Sequence, residues 1–127
     1  MQTLELLNTG AAAADACLPP GDAGLLPKRT AERHAALFRA LSDPVRVRLL
    51  AHIAAAEHST VCACHLPELV GVSQPTLSHH LKKLTDAGLI DRETRGRWAH
   101  YAISPGALVD LKDFLAGVPD HPRDTSA

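Results

Sequence analysis

Aromatic side chains are scarce in this chain: two Phe, one Tyr and one Trp among 127 residues. A core with so few rings must be packed by Leu, Val, Ile and Ala, which the 46% hydrophobic content supplies. Long apolar runs are missing as well. No segment approaches the ~18–20 apolar residues of a membrane span, so no membrane partner is expected. The stretch before Ala14-Asp15-Ala16-Cys17 lacks a basic start, contains Glu5 and forms no apolar run. It is therefore not read as a secretion or lipoprotein signal. Cysteine is limited to Cys17, Cys62 and Cys64. An odd number without a disulfide spacing pattern points to free thiols in a reducing cytoplasm. No phosphate loop, Cys-x-x-Cys pair or zinc-hydrolase His-Glu pattern occurs, which argues against an enzyme and against an organic cofactor.

A strong charge of either sign is also lacking. The formal net charge is −1, which at first sight argues against nucleic acid. The distribution of charge points the other way. Residues 1–32 carry four acids against two bases, and residues 110–127 carry four against two. Residues 33–52 hold four Arg against Asp43, and residues 71–103 hold five Lys/Arg and three His against three acids. The middle is basic and the ends are acidic. The local field sets the footprint on phosphates, and so modest a surplus implies weak binding in high salt.

Residues 1–27 read as a flexible extension carrying Cys17, broken by Gly10, Pro19-Pro20, Gly21, Gly24 and Pro27. Residues 28–118 read as one folded domain, and residues 119–127 as a loose, proline-containing tail. A helix is expected from about Thr30, with Leu37, Phe38 and Leu41 apolar. Asp43-Pro44 is an N-cap followed by Pro at the first helical position, opening a helix through Val47, Leu50, Ile53 and Ala54. Ser104-Pro105 repeats the device and predicts a last helix with Leu108, Leu111, Phe114, Leu115 and Val118. The first and last helices carry more apolar surface than so small a core covers, which favours a dimer.

The remainder is organised around Ser73-Gln74-Pro75-Thr76-Leu77-Ser78-His79-His80-Leu81-Lys82-Lys83-Leu84. Leu77, Leu81 and Leu84 recur at i, i+4, i+7, and Pro75 falls in the first turn. This is a helix with one apolar stripe. Ser73, Gln74, Thr76, Ser78, His79 and Lys82 lie off that stripe and have the groups needed to read base edges and grip phosphates. His80 lies at the edge of the stripe and reads as structural. Upstream, Leu66 to Val70 is a short helix and Gly71-Val72 a tight turn, completing a helix-turn-helix. Downstream, Ile90 to Ile103 reads as a hairpin turning at Arg95-Gly96, with Arg95 and Arg97 placed for phosphate or minor-groove contact. The expected fold is mainly α with a small β-hairpin (α+β): a winged helix-turn-helix.

Four segments in register carry a family resemblance: Leu41-Ser42-Asp43-Pro44-Val45-Arg46, Val61-Cys62-Ala63-Cys64-His65-Leu66, Ser73 to Leu81, and Asp86-Ala87-Gly88-Leu89-Ile90. Together they resemble the ArsR/SmtB family of metal- and metalloid-responsive repressors, over roughly Ala31 to Val118. The resemblance implies a homodimer joined through the first and last helices. A two-fold dimer meets a pseudo-palindromic double-stranded operator with half-sites about one helical turn apart.

Cys62-Ala63-Cys64 is the chemically loaded spot. Residues two apart on a regular helix point about 200° away from each other, so both thiols share one ion only where the chain is non-helical. Thiolates select soft ions. In the family that this chain resembles, a Cys-x-Cys here serves arsenite- and antimonite-responsive members and also cadmium- or lead-responsive ones. The arsenic pattern adds a Cys three residues on, where this chain has Pro67. Cys17 is the one remaining thiol, so the resemblance implies a three-sulfur site of Cys17, Cys62 and Cys64 for As(III) or Sb(III). Cd(II) and Pb(II) are alternatives. The zinc site of the family needs Asp/His pairs on the last helix, and no His occurs from Ala107 to Val118. His58 and His65 lie near the pair and read as solvent or cap residues. A thiol redox sensor is a further alternative, ranked lower because an i, i+2 disulfide is strained and no basic cluster adjoins the pair in sequence.

Overall fold

The computed structural model describes residues 24–57 and 59–120. Helix α1 spans Lys28–Leu41, two residues before the sequence predicts it, directly after Pro27. Helix α2 spans Pro44–Ala55. Its start is fixed by Asp43, whose Oδ1 accepts from the Val45 amide at 2.8 Å and the Arg46 amide at 3.3 Å. Strand β1 is Val61–Cys62, followed by a single 3-10 turn at Ala63–His65. Helices α3 (Leu66–Val70) and α4 (Gln74–Asp86) come next. Strands β2 (Ile90–Arg95) and β3 (Trp98–Ile103) form the hairpin, and α5 spans Val109–Ala116.

Asp43 supplies the first testable consequence. Partial burial raises its carboxyl pKa, but the Arg46 and Val45 amides, the His80 ring and the Arg46 charge together hold it below the ordinary value. A lowered folded-state pKa contributes stability above the unfolded-state value and loses it as pH falls through the folded one. Asp43→Asn keeps a capping oxygen but not the charge. It is expected to melt below the wild type near neutral pH, with the gap closing under acid; thermal melts at several pH values check this.

The core is one cluster of aliphatic residues drawn from nearly every element. Leu49 and Ile53 of α2, Leu66 of α3, Leu77, Leu81 and Leu84 of α4, and Leu89, Ile90 and Tyr101 around the hairpin are all buried. Each such Leu or Ile is worth about 1.5–3 kcal/mol in burial, so the leucine stripe of α4 is its main anchor.

The three strands form one antiparallel sheet in the order β1-β3-β2. Val61 faces Tyr101 and Cys62 faces His100, so the segment before α3 is an edge strand of the hairpin's own sheet. That pairing is not visible in the sequence pattern.

Two expectations are corrected. The hairpin turns at Gly96-Arg97, one residue later than predicted, because Arg95 pairs with Trp98 and Gly96 takes the left-handed conformation (φ 63°) that a two-residue connection requires. Ser104-Pro105 does not open the last helix. The Ser104 amide donates to the Leu89 carbonyl at 3.0 Å, and Gly106 has φ 75°, which a right-handed helix excludes. The chain turns first, and α5 starts at Val109 without a side-chain cap, leaving Leu108 and Val118 outside it.

Helices α1 and α5 pack through His34 and Phe114, with ring centroids 5.1 Å apart, and through Phe38 against Phe114 at 6.3 Å. Phe38 is still 41% exposed, and Val109, Leu115 and Val118 are about half exposed. Among the described residues these apolar side chains stand open to solvent.

Candidate nucleic-acid interface and thiol site

The reading helix is entered through a defined turn. Gly71 sits in the left-handed conformation (φ 74°) at the end of α3, and the amides of Gly71 and Val72 donate to the Pro67 carbonyl. The Ser73 hydroxyl then caps α4, accepting from the Thr76 amide at 3.3 Å and donating to the Thr76 hydroxyl at 3.0 Å. Leu77, Leu81 and Leu84 point into the core, while Gln74, Thr76, Ser78, His79 and Lys82 are exposed. Ser73 is exposed too, but part of its hydrogen-bonding capacity serves the helix start.

His80 is buried and turns away from that face. Its Nδ1 lies 3.1 Å from Arg46 Nη1 and 4.0 Å from Asp43 Oδ1. A guanidinium only donates, so Nδ1 is the acceptor whenever this contact is a hydrogen bond. Arg46 Nε also donates to the Ala40 carbonyl. Arg46 thus ties the end of α1 and the start of α2 to the middle of α4. A structural role for His80 is expected from the stripe alone, but its partner is not, because Arg46 lies 34 residues away.

The wing stands beside the helix. Ser78, Lys82, Thr85 and Asp86 of α4 line one open groove of about 390 Å³ with Arg92 and Tyr101 of the hairpin. The cations here have acidic neighbours. Lys82 Nζ lies 2.9 Å from Asp86 Oδ2, and Arg95 Nη2 lies 3.1 Å from Glu93 Oε1, with all four side chains exposed. Such surface pairs are weak and readily exchanged for a phosphate. Lys82→Ala is expected to weaken duplex binding and to shallow the salt dependence by about one unit of slope. Affinity measured against salt concentration checks it; an unaltered slope places Lys82 off the DNA.

Cys62 and Cys64 are brought together. Cys62 is extended (φ −71°, ψ 137°) and Cys64 lies in the 3-10 turn, so neither belongs to a regular helix. Their sulfurs are in contact as a bonded pair, with Cα atoms 5.4 Å apart. The Cys64 amide donates to Cys62 Sγ at 3.2 Å. Both side chains are partly exposed. Reduction of this pair would leave two soft thiolate donors close together on an extended residue and a 3-10 turn directly before α3, the condition for sharing one ion. Cys17 and His58 lie outside the described residues. Among the described residues no group of three or more His, Cys, Asp or Glu is placed to hold a metal ion. His65 is exposed and makes no capping hydrogen bond to α3.

His100 is the neighbour that the sequence did not reveal. It stands opposite Cys62 in the ladder, and its Nδ1 lies 3.2 Å from Thr60 Oγ1, forty residues away. Only the pairing of β1 with β3 brings it there. The one signal in the sequence is β-branched Thr60-Val61 ahead of the cysteines, too short a run to read as a strand.

No helix among the described residues is long and apolar enough to cross a membrane. Residues 43–92 match the family described as bacterial regulatory protein, arsR family. An arsenical resistance operon repressor of Bacillus subtilis is 39% identical over 67 residues, covering 53% of this chain and 62% of that one, so the chain spans less than two thirds of that relative. A putative arsenical resistance operon repressor of Halobacterium salinarum is 38% identical over 108 residues, covering 83% of this chain and 87% of that one. Among solved structures, a homodimeric winged helix-turn-helix DNA-binding domain from Mycobacterium bovis superposes with a TM-score of 0.56 over 80% of this chain and 97% of that one. At 19% identity that likeness speaks for the fold alone.

Proposed function

The chain belongs to the ArsR family of bacterial regulatory proteins, and from that premise we propose that it is a transcriptional repressor rather than an enzyme, and one that responds to arsenite. In this reading a homodimer holds a pseudo-palindromic operator through α4 and the wing, and leaves it when As(III) or Sb(III) binds Cys62 and Cys64. The convergence of the two sulfurs on a non-helical segment carries the proposal. Thiolate donors fit a soft metalloid. Cys17, from the same or the partner subunit, supplies the third sulfur of a trigonal site.

The dimer reading draws on the open apolar face of α1 and α5 and on the homodimeric relative in fold. Gln74, Thr76, Ser78 and His79 face the major groove, Ser73 and Lys82 the phosphates, and Arg95 and Arg97 the neighbouring backbone or minor groove.

The route from thiol to DNA runs two ways. Cys64 leads through the 3-10 turn into α3 and so to the turn that enters α4. Cys62 belongs to β1, and β1 is hydrogen-bonded to β3 of the wing. An ion drawing both sulfurs to itself reshapes the hinge between these two DNA-contacting elements. The bound and free states then differ in operator affinity, as a ligand-driven switch requires.

The test is the anisotropy of a labelled duplex from the upstream region of the protein's own gene, with reduced protein and added As(III), Cd(II) or Zn(II). Release by near-stoichiometric As(III) and not by Zn(II) is expected. Release by Cd(II) alone would move the inducer to the heavy metals. Direct contact of the two sulfurs favours a second reading, thiol oxidation. In that case an oxidant releases the duplex and a phosphine reductant, which has no thiol to chelate arsenic, restores it.

A further inference from the structure

Arg39, Arg46 and Lys83 come together from three different helices. With Ala36, Ala40 and Ala87 they line an open pocket of about 240 Å³ where α1 and α2 meet the last turn of α4. The alanines end at Cβ, which leaves the space beside the cations. Arg39 and Lys83 are exposed and Arg46 is partly buried. Among the described residues the ion pairs are His80–Asp43, Lys82–Asp86 and Arg95–Glu93, so none of the three cations is paired with a carboxylate. Asp86 also lines the pocket, but its Oδ2 is held by Lys82 Nζ at 2.9 Å. Asp43 Oδ1, at the start of α2, is spent on the Val45 and Arg46 amides.

Arg46 is fixed in place with donors to spare. Its Nε donates to the Ala40 carbonyl, Nη1 faces His80 Nδ1 at 3.1 Å and Nη2 faces the Arg39 carbonyl at 3.5 Å. A guanidinium has five N–H donors, so two remain, one on each terminal nitrogen. Three positive charges around one small space suit a compact anion with several acceptor oxygens. The guanidinium fork matches an oxyanion of the phosphate class, and the ammonium adds a point charge.

The position of the pocket favours a free anion over a phosphate of the duplex. Lys83 follows Gln74 by nine residues, about 13 Å along α4 at ~1.5 Å per residue. It also lies roughly 140° round the helix from Ser78, which lines the groove beside the wing. The pocket is thus apart from both the base-reading end of α4 and the wing.

We propose that this pocket binds a free tetrahedral oxyanion of the phosphate class through Arg39, Arg46 and Lys83. Because Arg46 also contacts His80, an anion held there fastens α1 and α2 to the reading helix. The inference goes beyond the regulatory reading and depends on neither the thiol site nor DNA.

The probe is inorganic phosphate, added in exchange for chloride at constant ionic strength and pH to the reduced, isotope-labelled whole chain. The amide resonances of Ala36 to Ala40, Arg46 and Lys83 to Ala87 are expected to move along one saturable curve. Lys83→Gln and Arg39→Gln should each weaken phosphate binding by about ten-fold, the scale of one lost charge-assisted hydrogen bond. Both side chains are exposed, so the circular dichroism of the variants should match the wild type. Shifts that grow without saturating, or that spread equally over Lys82, Arg92 and Arg97, would be general screening and would overturn the site. Undiminished phosphate affinity in both variants would overturn it as well. A duplex arm separates the two sources of phosphate. The salt slope of duplex binding should be the same in Lys83→Gln as in the wild type; a slope shallower by about one unit would assign Lys83 to the DNA backbone and overturn the free-anion site.

Discussion

Cys62→Ser and Cys64→Ser are each expected to hold the operator as tightly as the wild type and to stay on it when As(III) is added. The coupling between two sites in such switches is typically worth about 5–150-fold in affinity, and each substitution should remove nearly all of it. The reason is the donor count. With one of the pair gone, the described segment offers a single sulfur, and a hydroxyl is a poor ligand for a soft ion. DNA affinity survives because neither side chain lies in the buried core or on the exposed face of α4. Duplex anisotropy with and without As(III) measures both quantities on one sample. Equal loss of DNA binding and of response would make the cysteines structural and end their role as the switch.

The second large effect is in the core. Leu84→Ala removes a wholly buried side chain of α4 from the aliphatic core. Truncating such a leucine typically costs about 2–5 kcal/mol, from lost burial and the cavity left behind. For a domain of this size that is a fall of roughly 4–8 °C in melting temperature per kcal/mol, a large share of its total stability. Duplex binding should be lost over the same temperature range, since Leu84 is one of only three leucines, with Leu77 and Leu81, that anchor α4 in the core. Leu69→Ala, at a position 53% exposed on α3, is the control and should move the melt little. Similar losses in both would contradict the assignment of the core.

What was legible in the sequence was local. The spacing of Leu77, Leu81 and Leu84, the Ser73 cap and the Asp43-Pro44 start each act within a few residues, and the helices they predict are present. The hairpin was legible through its turn, to within one residue. Ser104-Pro105 misled because the same local signal was overruled by Gly106 and by the hydrogen bond from Ser104 to Leu89. The long-range partners were invisible. Nothing in the spacing of Thr60, Cys62 and His100 says that they share a sheet, or that Arg46 reaches His80. The cysteine pair was recognisable as a candidate ligand set, and the structure sets it on an extended residue and a 3-10 turn. The link from that pair into the wing required the strand register.

In the proposed switch the thiol site and the operator share one equilibrium. The most direct test measures As(III) affinity twice, on the free dimer and on the dimer saturated with duplex, and compares that ratio with the ratio of duplex affinities with and without As(III). Linkage requires the two ratios to be equal, and the predicted result is weaker As(III) binding on the DNA complex. As(III) binding that is equally tight in both states would show a thiol site with no hold on the DNA and would contradict the claim.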